Sequence, residues 1–342
     1  MRTRVAAITA IEYYLPSAVL SSATLAADFP EWSVDKIDAK TGIQERHIAS
    51  EAECSSDLAV EAATKLFRTG VCEPEEVDYI LFCTQSPDYF LPSTACVLQR
   101  RLGLPKSAGA FDYNLGCSGF VVGLGLAKGL IETGQAKKVL LLTAETYSKF
   151  INTRDKSART IFGDAAAATV VSAIETDGHA PLGPFVYGTD GSGAEQLIVP
   201  TGGMRHARTP ETAIEHEDQS GNWRSRDNLF MNGAEIFSFT LRAIPKCVRD
   251  LLDRARVEME AVDLFVFHQA NLYMLNHLRQ KLKIPEEKFV LAMGHCGNTV
   301  SSTIPIALKA AEESGRLRPG ALIMVVGFGV GYSWAAGLLR WV

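Results

Sequence analysis

Two copies of one strand–helix pattern, one in each half of the chain, constrain the fold more than any other feature of the sequence. The first copy contains VDYILF at residues 77–82 and FDYNLGCSGF around Cys117, and the second contains VDLFVF at residues 262–267 and GHCGNT around Asn298. Cys117 and Asn298 are 181 residues apart (298 − 117), and so are the starts of ETGQAKKVLLL and ESGRLRPGALIMVV. Solenoid repeats have periods of about 20–50 residues, so a repeat this long indicates a duplicated domain.

Apolar runs of strand length alternate with helical patterns in both halves. VDYILFCTQ, KKVLLLTAE, VDLFVFHQA and ALIMVVGFG are typical of strands, and helices are predicted near residues 95–102, 121–131 and 302–313. Strands that are apolar on both faces require sheets that are covered on both sides. The sequence therefore predicts an α/β protein with two similar halves, residues 1–178 and 179–342.

The N-terminal segment MRTRVAAITAIEYYLP is predicted to form a first β-strand. It starts with basic residues, but Glu12 interrupts its apolar run and no small-residue cleavage site follows, which distinguishes it from a signal peptide. Residues 201–228 are polar and without periodicity, so they are predicted to form a long surface loop. Loops of this length in compact domains are usually functional or mobile, and a tolerated insertion is the alternative.

Composition excludes several classes of function. A chain of 342 residues with 47% hydrophobic content can bury a large core, and a net charge of −5 with mixed signs gives no reason to expect nucleic acid or an anionic membrane surface as a partner. No apolar run reaches the roughly 20 residues that span a bilayer. CxxC, HExxH and GxxxxGK[ST] motifs are absent, so neither a metal nor a nucleoside triphosphate site is expected. Seven scattered cysteines fit a reducing cytoplasm.

Cys117 is the first candidate for chemistry. It follows an apolar strand and precedes the glycine-rich helical run VVGLGLAKGLIE. A thiol at the first turn of a helix meets unpaired backbone N–H groups and the positive end of the helix dipole, and both favour the nucleophilic thiolate. A buried cysteine is otherwise an ordinary small core residue, which is the alternative interpretation here and the one adopted for the other six.

His268 and Asn298 are the next candidates. His268 ends the strand VDLFVF and begins HQAN, at the carboxyl edge of a sheet, where α/β proteins bind ligands. Asn298 stands at the start of a predicted helix, where it could equally serve as an N-cap. Because the two halves repeat one pattern, a thiol, an imidazole and a carboxamide are predicted to converge on one point.

With these residues in place, the chain resembles the β-ketoacyl-acyl carrier protein synthase III family of the thiolase-like superfamily, nearly from end to end. The matching segments are TGIQERHIA, NLGCSGF, IFGDAAAA, GTDGSGAEQLIVPTGG, HQAN, GNT and GFGVGYSW. GCSGF, HQAN and GNT in this order resemble the family's Cys-His-Asn triad, whereas elongating ketosynthases carry a second histidine where Asn298 stands. The resemblance implies a thiolase-like fold with two βαβαβ-type halves, each around a mixed five-stranded sheet, in an α/β/α/β/α layered body.

The resemblance also implies a reaction. Cys117 would take the acyl group from an acyl thioester, and the enolate of a decarboxylated malonyl thioester would attack it to give a 3-oxoacyl product. His268 Nε2 and the Asn298 amide would donate to the enolate oxygen, and the backbone N–H groups of Cys117 and Val330 would hold the first oxyanion. Coenzyme A thioesters are substrates in this scheme, and no cofactor or metal is expected.

Further binding residues follow from the same resemblance. The residues expected to contact coenzyme A or the acyl chain are Trp32, Lys156, Asn271, Phe90, Leu91 and Phe328. Trp32 keeps the family's adenine-stacking tryptophan, and Lys156 replaces an arginine and loses its planar bidentate reach. The acyl pocket is expected to depend on side chains crossing a dimer interface near Phe90 and Leu91. The acyl chain itself is not specified by the sequence.

Two positions depart from the family pattern. Val330 stands where a glycine is usual in GFGVG, so a β-branched residue restricts the backbone and narrows the site. Tyr273 stands where members of the fatty-acid pathway often carry an arginine that docks the carrier protein. Together with Lys156, these departures put the usual pairing of acetyl-coenzyme A with a carrier protein in doubt, and none of them touches the triad.

The sequence thus predicts a cytoplasmic homodimeric acyltransferase of the ketosynthase type, in fatty-acid or specialised-metabolite biosynthesis. Its expected partners are an acyl-coenzyme A, a malonyl thioester and an acyl carrier protein, with no nucleic acid or membrane. One alternative is transfer of the acyl group from Cys117 to an oxygen or nitrogen nucleophile, against which the intact triad argues. Another is a non-catalytic subunit of a heterodimeric synthase, against which Cys117 and its flanking glycines argue.

Overall fold

The structure, a computed structural model, describes residues 3–176, 178 and 180–342. The strands are β1 (Thr3–Tyr14), β2 (Ala18–Ser21), β3 (Glu45–Ile48), β4 (Tyr79–Cys83), β5 (Gly109–Tyr113), β6 (Lys138–Glu145), β7 (Ala165–Thr176), β8 (Leu182–Thr189), β9 (Leu197–Ile198), β10 (His216–Glu217), β11 (Trp223–Arg224), β12 (Phe230–Met231), β13 (Leu264–Phe267), β14 (Leu322–Gly329) and β15 (Ser333–Arg340). The helices are α1 (Ser22–Asp28), α2 (Val34–Thr41), α3 (Ser55–Phe67), α4 (Thr94–Arg101), α5 (Gly119–Glu132), α6 (Lys156–Arg159), α7 (Gly233–Ala255), α8 (Leu272–Lys281) and α9 (Thr303–Glu313).

Two large sheets repeat one strand order. The first sheet runs β1-β7-β6-β4-β5, and the second, in the matching direction, runs β8-β15-β14-β13. In both sheets the first two pairings are antiparallel and the third is parallel. The predicted strands and the three predicted helices are all present, and β1 confirms the predicted first strand.

The prediction of five strands in each half is wrong for the second sheet. Four strands form it, and the place of the fifth is marked by a single parallel bridge between Phe265 and Phe289. Beyond that bridge the side chain of Gln269 replaces a strand. Its Nε2 donates to the carbonyl of Val290 at 3.2 Å, and its Oε1 accepts from the N–H of Ala292 at 2.8 Å. The side-chain amide satisfies backbone groups that a ladder would otherwise pair.

The elements form five layers. Helices α3 and α4 cover the outer face of the first sheet, and α7 and α8 cover the outer face of the second. The helices α5 and α9 lie between the two sheets, in one apolar cluster with strands of both. The layered body predicted from the resemblance is therefore present, and the segments after Cys117 and Asn298 form its two central helices.

The sequence of α5 explains why it fits between two sheets. Its residues are apolar nearly all round, and the residues that face the two sheets are buried, among them Phe120, Leu124 and Ile131. A Cβ at Gly123 would lie 2.2 Å from the hydroxyl of Tyr113 and 2.6 Å from the side chain of Leu141. Glycine at this position therefore lets the helix approach the first sheet closely.

Residues 201–228 contain more order than a polar loop without periodicity predicts. The short strands β10 and β11 pair as an antiparallel hairpin. Arg224 of the hairpin forms ion pairs with Asp155 and Asp218, and Arg154 pairs with Glu215. The segment is thereby attached to α6 and to the residues that precede it.

The predicted division of the chain at 178/179 falls between the sheets, since β7 ends the first sheet at Thr176 and β8 starts in the second at Leu182. Residues 177 and 179, at the division itself, lie outside the described part of the chain. Among the described helices none combines the length and the apolar character needed to cross a bilayer. The described residues also contain no group of three or more His, Cys, Asp or Glu side chains that could hold a metal ion.

Candidate active site

A cavity of about 460 Å³ opens between the two halves of the molecule. Cys117, His268 and Asn298 all line it, although they come from three separate segments of the chain. Each is nearly inaccessible to solvent, with exposed fractions of 5%, 2% and 4%. The structure therefore brings together the thiol, the imidazole and the carboxamide that the sequence singles out.

Cys117 lies two residues before the start of α5. Burial, together with the nearby carboxyl of Glu145, raises the pKa of the Cys117 thiol to about 12, although its own backbone N–H acts to lower it. Desolvation thus acts on the Cys117 pKa in the direction opposite to that expected from the helix terminus. At neutral pH the group is a thiol, and it needs a proton acceptor before it can attack.

His268 is available as that acceptor. Burial lowers the pKa of its imidazole to about 3, so the ring is neutral at neutral pH. Its Nδ1 lies 2.7 Å from the hydroxyl oxygen of Thr303, whose proton is directed to the carbonyl of Val300 at 3.0 Å. In this arrangement Nδ1 carries the hydrogen and Nε2 is free to accept one. When the Thr303 hydroxyl donates to Nδ1 instead, it matches the other tautomer, in which the ring has exchanged its hydrogen to Nε2 and Nε2 donates.

Asn298 is oriented by its own loop. The N–H of Val300 donates to Asn298 Oδ1 at 2.9 Å, and Nδ2 of the same amide lies 3.4 Å from the carbonyl of Ala270. The backbone of Asn298 pairs with the IFGD segment, since its N–H donates to Ile161 and its carbonyl accepts from Gly163. With Oδ1 held by Val300, Asn298 turns the Nδ2 side of its amide to the cavity, where one N–H is directed to Ala270 and the other is available.

The end of β14 packs directly on the thiol. A Cβ on Gly329 would lie 2.9 Å from Cys117 Sγ, so this position has no room for a side chain. The ring of Phe328 meets His268 edge-on, with centroids 5.5 Å apart. Val330 follows immediately, so its peptide N–H belongs to the stretch of backbone beside the thiol, where the sequence predicts an oxyanion donor.

Trp32 is at the partly exposed rim of the cavity. The ammonium groups of Lys36 and Lys40 lie 5.2 and 5.3 Å from its ring centroid, within cation–π range. Lys156 does not line the cavity, and instead its ammonium pairs with Glu31 at 2.6 Å, next to Trp32. The charge of Lys156 is thus paired with that of Glu31.

Asn271 and Tyr273 also line this cavity. The side chain of Asn271 caps α8 by accepting from the N–H of Met274 at 2.9 Å, which gives this residue a structural role. Tyr273 is half-exposed and packs against Phe237 and His277, with ring centroids 5.4 and 4.3 Å away. An aromatic cluster thus occupies the rim where a docking arginine is common in the family.

Phe90 and Leu91 are not brought to the triad within one chain. Their exposed fractions are 79% and 82%, and they line a second cavity of about 1170 Å³. Leu197 lines both cavities, and Val330 lines the second one while packing in the apolar cluster that contains Cys117. Leu197 and Val330 therefore stand between the thiol and the second cavity.

The sequence interpretation did not identify three residues of the site: Thr303, Glu145 and Ser301. Thr303 sets the tautomer of His268, and Glu145 is a fully buried carboxyl that accepts a hydrogen bond from Ser301 at 2.9 Å. Burial raises the pKa of Glu145 to about 8. The sequence contains one signal for Glu145. This residue directly follows the apolar run VLLLTA, and the end of a buried strand offers a carboxyl no position that faces solvent.

The chain matches known proteins over its whole length. Residues 111–191 match the family model of 3-oxoacyl-[acyl-carrier-protein] synthase III, and residues 252–341 match the model of its C-terminal part. The β-ketoacyl-[acyl-carrier-protein] synthase III of Caldanaerobacter subterraneus subsp. tengcongensis is 36% identical over 328 residues, 96% of this chain and 95% of that protein.

Solved structures show the same likeness. A 2.1 Å crystal structure of a 3-oxoacyl-(acyl-carrier-protein) synthase III superposes with a TM-score of 0.97 at 53% identity, covering 98% of this chain and all of that one. The 3-oxoacyl-(acyl-carrier protein) synthase of Burkholderia xenovorans LB400 gives a TM-score of 0.89 at 37% identity, covering 100% of this chain and 95% of that one. With its fold and full-length similarity, this chain belongs to the 3-oxoacyl-acyl carrier protein synthase III family of condensing enzymes.

Proposed function

We propose that this protein loads an acyl group from a coenzyme A thioester onto Cys117 and condenses it with a malonyl thioester, with loss of carbon dioxide. The observation that carries the proposal is the convergence of Cys117, His268 and Asn298 on one buried cavity in a chain of this family. The product is a 3-oxoacyl thioester two carbons longer than the acyl group that was loaded.

In the acylation step His268 Nε2 takes the proton of the Cys117 thiol as Sγ attacks the thioester carbonyl. The new Sγ–C bond produces an oxyanion, which the backbone N–H groups of Cys117 and Val330 stabilise. The C–S bond to coenzyme A then breaks, and the leaving thiolate takes the proton back from Nε2. A neutral imidazole with a free Nε2 is the state that this transfer requires, and the lowered pKa of His268 supplies it.

In the condensation step the malonyl thioester loses its carboxylate as carbon dioxide, and negative charge develops on its thioester oxygen. Asn298 Nδ2 and the Nε2–H tautomer of His268 donate to that oxygen. The enolate carbon attacks the acyl carbonyl, the bond to Sγ breaks, and Cys117 leaves as a thiolate that is then reprotonated. No carboxylate base is required, because decarboxylation itself generates the carbanion.

Intact-mass measurement separates the two steps. Cys117→Ala is expected to abolish the mass gain on incubation with an acyl-coenzyme A. Asn298→Ala is expected to leave Cys117 acylatable and to slow condensation by about 10²–10³-fold, the usual cost of one lost oxyanion donor. Equal loss of acylation in both variants would contradict this division of roles, and acyl transfer to an alcohol or amine without 3-oxoacyl product would favour the acyltransferase alternative.

The rim of the cavity supports coenzyme A as the carrier of the first acyl group. Trp32 offers an aromatic face for an adenine ring, and Lys36 and Lys40 place two positive charges beside it. Cations next to a stacking surface suit a nucleotide with phosphate groups.

An acyl carrier protein is the proposed second carrier, with a docking interface that is weakened at Tyr273 or relocated to basic residues of α7. Arg242, Lys246 and Arg249 are exposed on α7, spaced so that they share one helix face. Tyr273→Arg is expected to raise turnover with malonyl-carrier protein at low salt and to leave turnover with malonyl-coenzyme A unchanged. Equal gains with both substrates, or none with the carrier protein, would show that docking does not involve this position.

The proposal also includes a homodimeric state and a cytoplasmic location. The strand β5 is the edge of the first sheet and is half-exposed along its length, so it offers unpaired backbone groups to a second copy. Phe90 and Leu91 form an exposed apolar tip that a partner would bury. All seven cysteines are free thiols, which fits a reducing compartment. Sedimentation equilibrium at micromolar concentration tests the dimer, and a mass of one chain would contradict it.

A further inference from the structure

Glu145 is a buried carboxyl for which the proposed reaction has no use. It ends β6 and is inaccessible to solvent. Its Oε2 accepts from the backbone N–H of Gln85 at 2.9 Å and from the hydroxyl of Ser86 at 3.3 Å, and its Oε1 accepts from the hydroxyl of Ser301 at 2.9 Å. Gln85 and Ser86 belong to the first half of the chain and Ser301 to the second. The carboxyl therefore joins the two halves beside the cavity.

A second contact of the same kind lies next to it. The hydroxyl groups of Thr143, also on β6, and Ser302 are 2.8 Å apart, and Ser302 donates to the Thr143 carbonyl at 3.2 Å. Consecutive serines in the turn after Asn298 are thus held by the last residues of one strand. These hydrogen bonds attach the turn to the end of β6.

The turn needs such support because Val300 is strained. Its φ is 55°, a left-handed conformation that β-branched residues rarely adopt and that costs about 1–3 kcal/mol. This conformation directs the N–H of Val300 to Asn298 Oδ1, at 2.9 Å. If Val300 relaxed to a negative φ, its N–H would turn away, Oδ1 would lose its partner, and the amide would be free to flip.

We propose that Glu145 is a positioning residue for condensation: through Ser301 it holds Val300 in its left-handed conformation, and Val300 holds the Asn298 amide with its N–H groups toward the cavity. The inference rests on the proposed function and deepens it. Condensation depends on a donor aimed at the developing enolate oxygen, and errors of a fraction of an ångström in such a donor are costly. Acylation does not use the Asn298 amide, and the turn reaches His268 through the hydrogen bond from Thr303 to the backbone carbonyl of Val300, so we expect acylation to be less sensitive to this chain of contacts than condensation.

Two variants, one on each side of the hydrogen bond between Ser301 and Glu145, test the proposal. Ser301→Ala removes one donor and leaves Glu145 with Gln85 and Ser86, and Glu145→Asp keeps the carboxyl group but shortens its reach to Ser301. Both are expected to slow condensation about tenfold, while acylation of Cys117, followed by intact mass in rapid-quench samples, stays within about threefold of wild type. A variant that loses both rates equally would overturn the proposal.

The decisive experiment is a double-mutant cycle that combines Ser301→Ala with Asn298→Ala. If Glu145 acts through Asn298, Ser301→Ala has no further effect on condensation when Asn298 is already alanine, whereas independent effects multiply. Multiplying effects would overturn the proposal. The wild-type protein reports on the proposed function separately, because failure to form any 3-oxoacyl product would reject that function whatever the variants do.

A matched control guards against loss of stability. Glu12 is another buried carboxyl that links the two halves, through Lys65 and Lys309, and it lies away from the cavity. Glu12→Gln is expected to lower the melting temperature without changing the ratio of condensation to acylation. If it changes that ratio as Ser301→Ala does, the effect is one of general stability and the positioning role is rejected.

Discussion

Burial sets the protonation of the two residues that exchange a proton in the proposed acylation. Burial raises the pKa of Cys117 to about 12 and lowers the pKa of His268 to about 3, so both are neutral in the free protein. A thiolate–imidazolium pair would place two charges in an apolar cavity, at a large desolvation cost. The proton therefore moves when the thioester and the oxyanion donors are in place, and the resting enzyme keeps a protected thiol.

The pH dependence of alkylation tests this protonation state. Below a pKa the thiolate fraction rises about tenfold per pH unit, so reaction of Cys117 with iodoacetamide is expected to accelerate from pH 7 to pH 10 without levelling off. The exposed Cys96 provides the internal reference in peptide mass spectra and should be modified first at pH 7. Prior incubation with acyl-coenzyme A should prevent the alkylation of Cys117 and leave the alkylation of the other cysteines unchanged. A plateau in the rate below pH 9 would show an activated thiolate and contradict the burial argument.

Val330 is expected to limit the length of the acyl group. Its Cγ1 lies 3.0 Å from the point that a Cβ on Gly116 would occupy, and it stands with Leu197 between Cys117 and the second cavity. Val330→Gly removes that wall and keeps the backbone N–H. The variant should extend acylation from short to longer acyl-coenzyme A substrates, measured as mass gain across a chain-length series.

Ala at position 330 is the graded control, since it shortens the side chain without adding the backbone freedom of glycine. An intermediate chain-length profile is expected for it. If both variants lose acylation of every substrate equally, Val330 supports the oxyanion backbone and does not set the length.

At the scale of elements, the β10–β11 hairpin is attached to α6 through a buried charge. Asp155 caps α6 by accepting from the N–H groups of Ser157 and Ala158, and its side chain is 1% exposed. Arg224 supplies the compensating charge from the hairpin, 3.1 Å away. Since Ser157 lines the triad cavity, the hairpin helps to fix one wall of the site.

Removing Arg224 is therefore expected to be costly. Arg224→Ala leaves Asp155 buried without its ion-pair partner, and the free energy of unfolding should fall by about 3–5 kcal/mol in urea titrations. Arg154→Ala is the matched control, because its pair with Glu215 is exposed and should contribute at most about 1 kcal/mol. Equal losses in the two variants would show that burial of Asp155 does not decide the energy.

At the scale of the whole molecule, Glu12 ties the two halves together. It lies on β1 and pairs with Lys65 of α3 at 2.9 Å and with Lys309 of α9 at 3.0 Å. Burial alone would raise the pKa of Glu12, but the hydrogen bonds and charges of the two lysines outweigh it and lower the pKa. The same glutamate interrupts the apolar N-terminal run in the sequence.

This lowered pKa predicts a pH window. The unfolded chain binds the proton of Glu12 more readily than the folded one, so the stabilisation is present above the ordinary value of 4.5 and is lost as pH falls through the lower folded pKa. The difference in unfolding free energy between wild type and Glu12→Gln should be largest near pH 7 and should shrink below pH 4.5. Glu286→Gln, at an exposed pair, is the control. A difference that grows in acid would contradict the assignment.

Much of the architecture and the location of the candidate site could be predicted from the sequence. The matching strand ends placed Cys117 and Asn298 before equivalent helices, and these became the two central helices α5 and α9. His268 could be placed at the carboxyl end of its strand for the same reason. Local pattern and duplication suffice for such predictions, because they depend on which residues follow which element.

Only the tertiary structure decided the protonation and the orientation of these residues. The protonation of Cys117 and His268 depends on burial by distant segments, and the orientation of Asn298 depends on Val300 and, through Ser301, on Glu145. Where a fifth strand would lie, the Gln269 side chain pairs with backbone groups of Val290 and Ala292. These features arise from contacts between residues far apart in the chain, so no local pattern records them. The sequence by itself determined where the reactive groups lie, and the packing of the two halves determined their charge and direction.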